Sequence, residues 1–203
     1  MKGLFKNNFL AVWTNVKIFL LFMFAMGIVV TIIPNQTWQM YFIIIGIAGL
    51  TVNAATVIEN EFSSKWGKYK LILPVKRIDI VKSLYINHLL WIMIGVFFVG
   101  MIIALSYLLH GVPFEQFEGI SGVVVIGISI SLTMGAIFIP MIYLAGEDKT
   151  IVFLIISLLC AVGIAAMLFN IPLFGSFILI GCSILLFIVS FPLTVSIFKK
   201  KEY

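Results

Sequence analysis

Charge is what this chain has least of. Its 203 residues include 13 Lys or Arg and 8 Asp or Glu, a charged share of 10%, where a soluble domain carries roughly 25%. The few charges are clustered, which leaves long uncharged stretches and excludes a water-soluble fold. Cysteine is nearly absent: Cys160 and Cys182 both fall within apolar runs, where apolar filler is the simpler role and a disulfide or metal site has little support. No G-x-x-x-x-G-K-S/T phosphate loop, H-E-x-x-H, C-x-x-C or G-x-S-x-G occurs, so the chain offers no nucleotide-binding or hydrolase motif of its own. Its two histidines, His88 and His110, stand at opposite ends of one apolar run and cannot share a metal within one subunit. Apart from His88, the apolar runs hold no His, Asp, Glu, Lys or Arg. Intramembrane enzymes and ion or proton pathways are built on such groups, so both are disfavoured, and neither cofactor nor metal is expected on this chain.

Apolar residues are what it has, at 63% of the chain with a mean hydropathy of +1.22. Runs free of Asp, Glu, Lys and Arg occur at Ile18 to Ile33, Gln39 to Ile58, Ser83 to Leu109, Gly119 to Ala145, Ile151 to Phe169 and Gly175 to Phe198. Each is long enough to cross about 30 Å of hydrocarbon at about 1.5 Å per residue, the first if its helix begins near Thr14. Unpaired backbone groups in lipid cost several kcal/mol each, so six helical spans are predicted, at about 14–33, 39–58, 83–109, 119–145, 151–169 and 175–198. Phe153-Leu154-Ile155-Ile156 shows none of the alternation that a barrel strand needs. The predicted fold is an all-α polytopic membrane protein with a single transmembrane domain over 1–203.

Six spans put both ends of the chain on one side, and the basic residues say which. Lys2, Lys6, Lys17, Lys65, Lys68, Lys70, Lys76, Arg77, Lys82, Lys149, Lys199, Lys200 and Lys201 all fall at that side. The connections Pro34 to Trp38, His110 to Glu118 and Asn170 to Phe174 carry none. Positive residues stay inside, which predicts cytoplasmic termini and a cytoplasmic 59–82 loop. The formal charge of +5 is then a topogenic signal, and nucleic-acid binding has no place in it. Trp38, Tyr41 and Tyr107 fall near the outer boundary and Trp13, Tyr85 and Tyr143 near the inner one, as interfacial aromatics. At the amino end Phe5, Phe9, Val12, Trp13 and Val16 share one helical face flanked by Lys2, Lys6 and Lys17. An interfacial helix over 2–16 is predicted; the alternatives are an early start of the first span or a cleaved signal peptide.

Small residues run in stripes. Gly46, Gly49, Asn53, Thr56 and Asn60 recur at steps of three and four, placing them on one face of the second span, and Gly127, Ser131 and Gly135 do so in the fourth. Close helix packing explains both. A conduit or subunit interface along Gly49, Asn53 and Thr56 is the functional alternative.

The 59–82 loop carries six basic and three acidic residues. Ser63 or Ser64 can cap a short helix bearing Trp66 and Tyr69, Leu73-Pro74 breaks it, and a second helix from Val75 runs on into the third span. Such a surface suits a protein partner or, equally, lipid headgroups. Its sequence, Glu59-x-Glu61, Lys65-Trp66-x-Lys68-Tyr69 and Leu73-Pro74-Val75-x-Arg77-x-Asp79-Ile80-Val81-x-Ser83-x-Tyr85, resembles the signature of short bacterial type-2 ATP-binding-cassette permeases. These include permease subunits of phenol-soluble modulin and antimicrobial-peptide exporters. Gly67 and Leu84 depart from that pattern, where Asp and Lys are usual, and leave the subfamily and substrate open.

The resemblance implies a permease in the bacterial cytoplasmic membrane that pairs with a second copy or a paralogue. It implies docking of a separate ATPase, which holds the ATP and Mg, on cytoplasmic coupling helices. Glu59, Glu61, Trp66, Lys68, Tyr69, Pro74, Arg77, Asp79 and Lys82 would form that coupling surface. Short outer connections favour an amphipathic peptide entering from the lipid over a large hydrophilic cargo. The other readings are an ATP-independent immunity or interaction protein and, further off, a channel or secondary transporter.

Overall fold

A backbone surrounded by apolar side chains has no partner but itself, and it forms helices over nearly all of its described length. The computed structural model describes residues 2–33, 35–63, 76–110, 114–145, 149–169 and 175–200. Their order is α1 (Lys2–Ile32), α2 (Gln36–Ser63), α3 (Arg77–His110), α4 (Phe114–Ala145), α5 (Thr150–Phe169) and α6 (Gly175–Lys200). All six contain a window apolar enough to cross a membrane, with mean hydropathies from 2.0 to 2.9. The helices outrun the charge-free runs at the basic end of the bundle. Lys and Arg end a hydrocarbon-compatible stretch without ending a helix, since both are good helix formers.

The amino end shows this most plainly. α1 is one unbroken helix of 31 residues, about 46 Å long, and an interfacial helix over 2–16 is not set apart from the first span. The reason lies in its buried face. Asn8, Val12, Val16, Met23, Gly27 and Val30 are buried at steps of three, four and seven, so one stripe continues past residue 16 and holds the helix straight against its neighbours. α3, with 34 residues, is about 51 Å long and likewise exceeds the roughly 30 Å of hydrocarbon.

The helices pack as two groups of three. α1, α2 and α3 contact one another, α4, α5 and α6 do the same, and α2 meets α4 along the main seam, with α3 also reaching α6. α2 and α4 form the centre, with 61% and 67% of their spanning windows buried against 22–33% for the other four. Small residues set the closest approaches. A Cβ at Gly95 of α3 would stand 3.3 Å from the Ile47 Cα of α2, and one at Gly127 of α4 would stand 3.2 Å from Ile47 Cδ1. The outward faces carry Ile18, Phe22, Phe97, Leu108, Leu159 and Phe177, a covering that only lipid or another apolar surface can solvate. Trp13, Trp38 and Tyr41 are exposed among them. Tyr85 and Tyr143, expected at the lipid interface, are instead buried; both lie on inward faces, and sequence position along a span does not reveal that direction.

Candidate coupling site

Of the residues expected to couple to a partner, Trp66, Lys68, Tyr69 and Pro74 lie outside the described residues. Glu59 and Glu61 fall in the last turns of α2. Arg77, Asp79 and Lys82 open α3, and the helix continues from them into the third span without a break. The Asp79 N–H donates to the Lys76 carbonyl at 2.9 Å, closing the first turn, and its carboxylate sits where the helix dipole favours negative charge. Lys76 and Lys82 are exposed.

Arg77 reaches across to α6. Its Nη1 donates to the Phe198 carbonyl at 2.9 Å and lies 3.5 Å from the Lys199 carbonyl. The guanidinium stands 5.4 Å from the centroid of the Phe198 ring. The last carbonyls of α6 have no partner within their own helix, so a cation there satisfies acceptors and complements the dipole. Phe198 in turn packs on Tyr143 of α4, with ring centroids 4.8 Å apart.

Further polar contacts follow down α3. Ser83 accepts from Asn8 Nδ2 of α1 at 3.2 Å. The Tyr85 hydroxyl lies 2.8 Å from Ser190 Oγ and 2.9 Å from Thr194 Oγ1, both on α6, and its ring meets Phe187 and Phe191 edge-on. His88, buried, bonds through Nε2 to the Ser131 carbonyl of α4 at 2.9 Å. A carbonyl only accepts, so that nitrogen carries the proton. At the far end Gln39 of α2 reaches Ser106 at 3.4 Å and accepts from Tyr107 at 3.5 Å. α3 is thus the one helix tied by side chains to α1, α2, α4 and α6 among the described contacts.

The stripes serve this packing. Gly135 leaves the space that the His88 imidazole fills, and Ser131 Oγ accepts from Thr51 of α2 at 3.1 Å. Gly46 is packed by Val99 and Met23, and Gly49 by the Phe19 ring of α1. Asn53 Nδ2 donates to the Gly49 carbonyl at 2.8 Å and Thr56 to the Asn53 carbonyl at 2.8 Å, so both side chains are engaged by their own helix while remaining half-buried. Sequence reasoning missed Tyr85, Asn8 and Ser190 as tertiary contacts. Only His88 gave a signal, as the lone imidazole within the spans.

Among the described residues, side-chain contacts tie α3 to its neighbours at several levels along its length. Searches of curated proteins and of solved structures return no match to the chain. The family model described as "ABC-2 family transporter protein" matches residues 3–199. The chain therefore belongs to the ABC-2 transporter family and is a multi-pass membrane permease component of an ATP-binding-cassette transporter.

Proposed function

We propose that the chain is the permease half of an ATP-driven exporter in a bacterial cytoplasmic membrane, moving amphipathic peptides outward. A separate ATPase docks on residues 59–82, and a second permease copy or paralogue completes the pathway. The observation that carries this reading is the family match over residues 3–199, in a family whose membrane components work with an ABC ATPase. Orientation rests on the Lys and Arg residues gathered at one end of the spans. The amphipathic substrate rests on the apolar, charge-free spans and short outer connections, together with the resemblance of residues 59–85 to short type-2 permeases that include peptide exporters.

In this reading Glu59, Glu61, Asp79, Lys82 and the 64–75 segment meet the ATPase. Arg77 passes the displacement of α3 to α6, and Tyr85 and His88 keep α3, α4 and α6 moving together. The test is ATP-dependent uptake of a fluorescent amphipathic helical peptide into inside-out vesicles containing the chain and its partner ABC ATPase. Uptake that requires both proteins supports export. Peptide resistance conferred by this chain alone, without ATP, favours the immunity reading instead.

A further inference from the structure

The α1–α3 seam differs between its two halves. Near the basic end of the bundle it is closed: Asn8 Nδ2 donates to Ser83 Oγ at 3.2 Å, and the Phe9 ring stacks on Trp91 with 5.4 Å between centroids. Toward the other end a groove of about 230 Å³ runs between the two helices. Phe24, Gly27, Ile28, Thr31 and Ile32 of α1 form one wall, and Ile102 and Leu105 of α3 face them. The α1 residues recur at steps of three and one, which keeps them on one helical face over two turns. The groove therefore follows the α1 axis for about 12 Å. Ile102 sits against Gly27, where a Cβ would stand 2.6 Å from Ile102 Cδ1, so the helices touch at that point and the groove opens beside it.

The interior offers no free polar group. Thr31 is the one polar side chain in these walls, and its hydroxyl donates to the Gly27 carbonyl of its own helix at 2.8 Å. An apolar cavity of roughly 150 Å³ already stays dry and takes an apolar guest, so water does not fill this larger one. The mouth is continuous with the lipid-facing surface: Phe24, Ile28, Ile32 and Leu105 are 57%, 48%, 67% and 52% exposed. A long, narrow space along a spanning helix also lies within a modest tilt of the bilayer normal, the direction in which lipid chains extend. The geometry points to a lipid acyl chain, from the leaflet farther from the basic end, seated between α1 and α3. The groove ends at Ile32, the last residue of α1, at the level where that leaflet's headgroups begin. The connections at that end, Pro34 to Trp38 and His110 to Glu118, carry no Lys or Arg, so the chain is held by its hydrocarbon and headgroup charge is not selected. This site stands whether or not the protein exports peptides.

The test uses the full-length protein, delipidated in a steroid detergent that has no acyl chain, and reads the rise in melting temperature as phosphatidylcholine is added. Leu105→Trp and, from the facing wall, Ile28→Trp fill the groove; Leu159→Trp, at an exposed position of α5, is the control. Wild type and Leu159→Trp should respond at the same lipid concentration. Both filled variants should need about tenfold more, since displacing two methylenes accounts for that factor. Native mass spectrometry of the same proteins, which does not depend on melting, should show lipid retained by wild type and Leu159→Trp and lost from the filled variants. Phosphatidylglycerol of the same chain length should act like phosphatidylcholine. An equal response and equal retention in wild type and filled variants overturn the site, as does a wild type that responds to neither lipid. A response to phosphatidylglycerol alone assigns the effect to headgroup charge, and stabilisation by an amphipathic helical peptide but not by phosphatidylcholine gives the groove to peptide; either result overturns the acyl-chain assignment.

Discussion

The Arg77 guanidinium closes the last turn of α6, bonding the Phe198 carbonyl at 2.9 Å from the first residue of α3. A contact 121 residues apart in sequence therefore joins the start of α3 to α6.

Arg77→Ala should lower stability by about 1–2 kcal/mol, combining a partly exposed charged hydrogen bond with the lost helix-end cation. Detergent-solubilised protein should melt earlier, and transport per bound ATPase should fall. Lys200→Ala, at the exposed tail of the same helix, should change neither quantity.

Tyr85→Phe removes two hydroxyl contacts to α6 and keeps the ring packing. Interhelical hydrogen bonds within membranes average about 0.6 kcal/mol and reach about 1.7. The expected loss lies in that range, read from the midpoint of denaturing-detergent unfolding. Combined with Arg77→Ala, the loss should fall short of the sum if the two contacts hold one α3–α6 unit, because either substitution already weakens the other contact.

Glycines separate packing sites from open ones. Gly135→Ala places a methyl group on the His88 imidazole and must displace it from Ser131, an overpacking cost of about 1–3 kcal/mol. Gly163→Ala and Gly181→Ala meet nothing within 4 Å and should be neutral or stabilising by up to about 1 kcal/mol. Equal melting temperatures for Gly135→Ala and Gly163→Ala would remove the His88 junction from the account.

Much of this fold was legible because hydrocarbon imposes a length. Each charge-free run falls on one of the six helices, since a run compatible with about 30 Å of lipid must be helical. The helix ends were not legible at the basic side: Lys17 and Lys82 stop the runs yet lie inside the helices. The Gly127, Ser131 and Gly135 stripe was readable as packing, and it holds His88 and Ile47. The partners of Tyr85, Asn8 and Arg77 were not readable, because each lies 75 or more residues away and a lone polar residue in a span has no periodic signature. Position along a span showed Tyr85 near the bundle's basic end; the rotation that turns it inward comes only from packing.

Asn53 gives a sharper contrast between packing and transport. Its amide is bonded within α2, so Asn53→Ala should be nearly silent in both stability and export. Asn53→Leu should insert at normal levels, and a loss of export in that variant alone would assign the Gly49, Asn53 and Thr56 face to a conduit or subunit interface. Wild-type export by Asn53→Leu would leave that face to packing.

Orientation is open to direct labelling. In a background lacking Cys160 and Cys182, cysteines at Gln36, Gln116 and Asn170 should react with an impermeant thiol reagent from outside intact cells. Those at Ser64 and Lys200 should not. Labelling at Ser64 in sealed cells would place the 59–82 segment outside and end the docking reading.

Docking of the ATPase on the start of α3 is the central claim, and side-by-side recovery of the cognate ATPase by tagged wild type, Asp79→Ala, Lys82→Ala and Lys200→Ala tests it most directly. Truncating one member of a desolvated charge pair typically costs about 2–5 kcal/mol, so affinity should fall about 30-fold or more where the pair is buried against the partner. The predicted result is weakened recovery and lost ATP-dependent transport for Asp79→Ala and Lys82→Ala at normal membrane levels, with Lys200→Ala like wild type. Equal recovery and equal transport by all four proteins would contradict it.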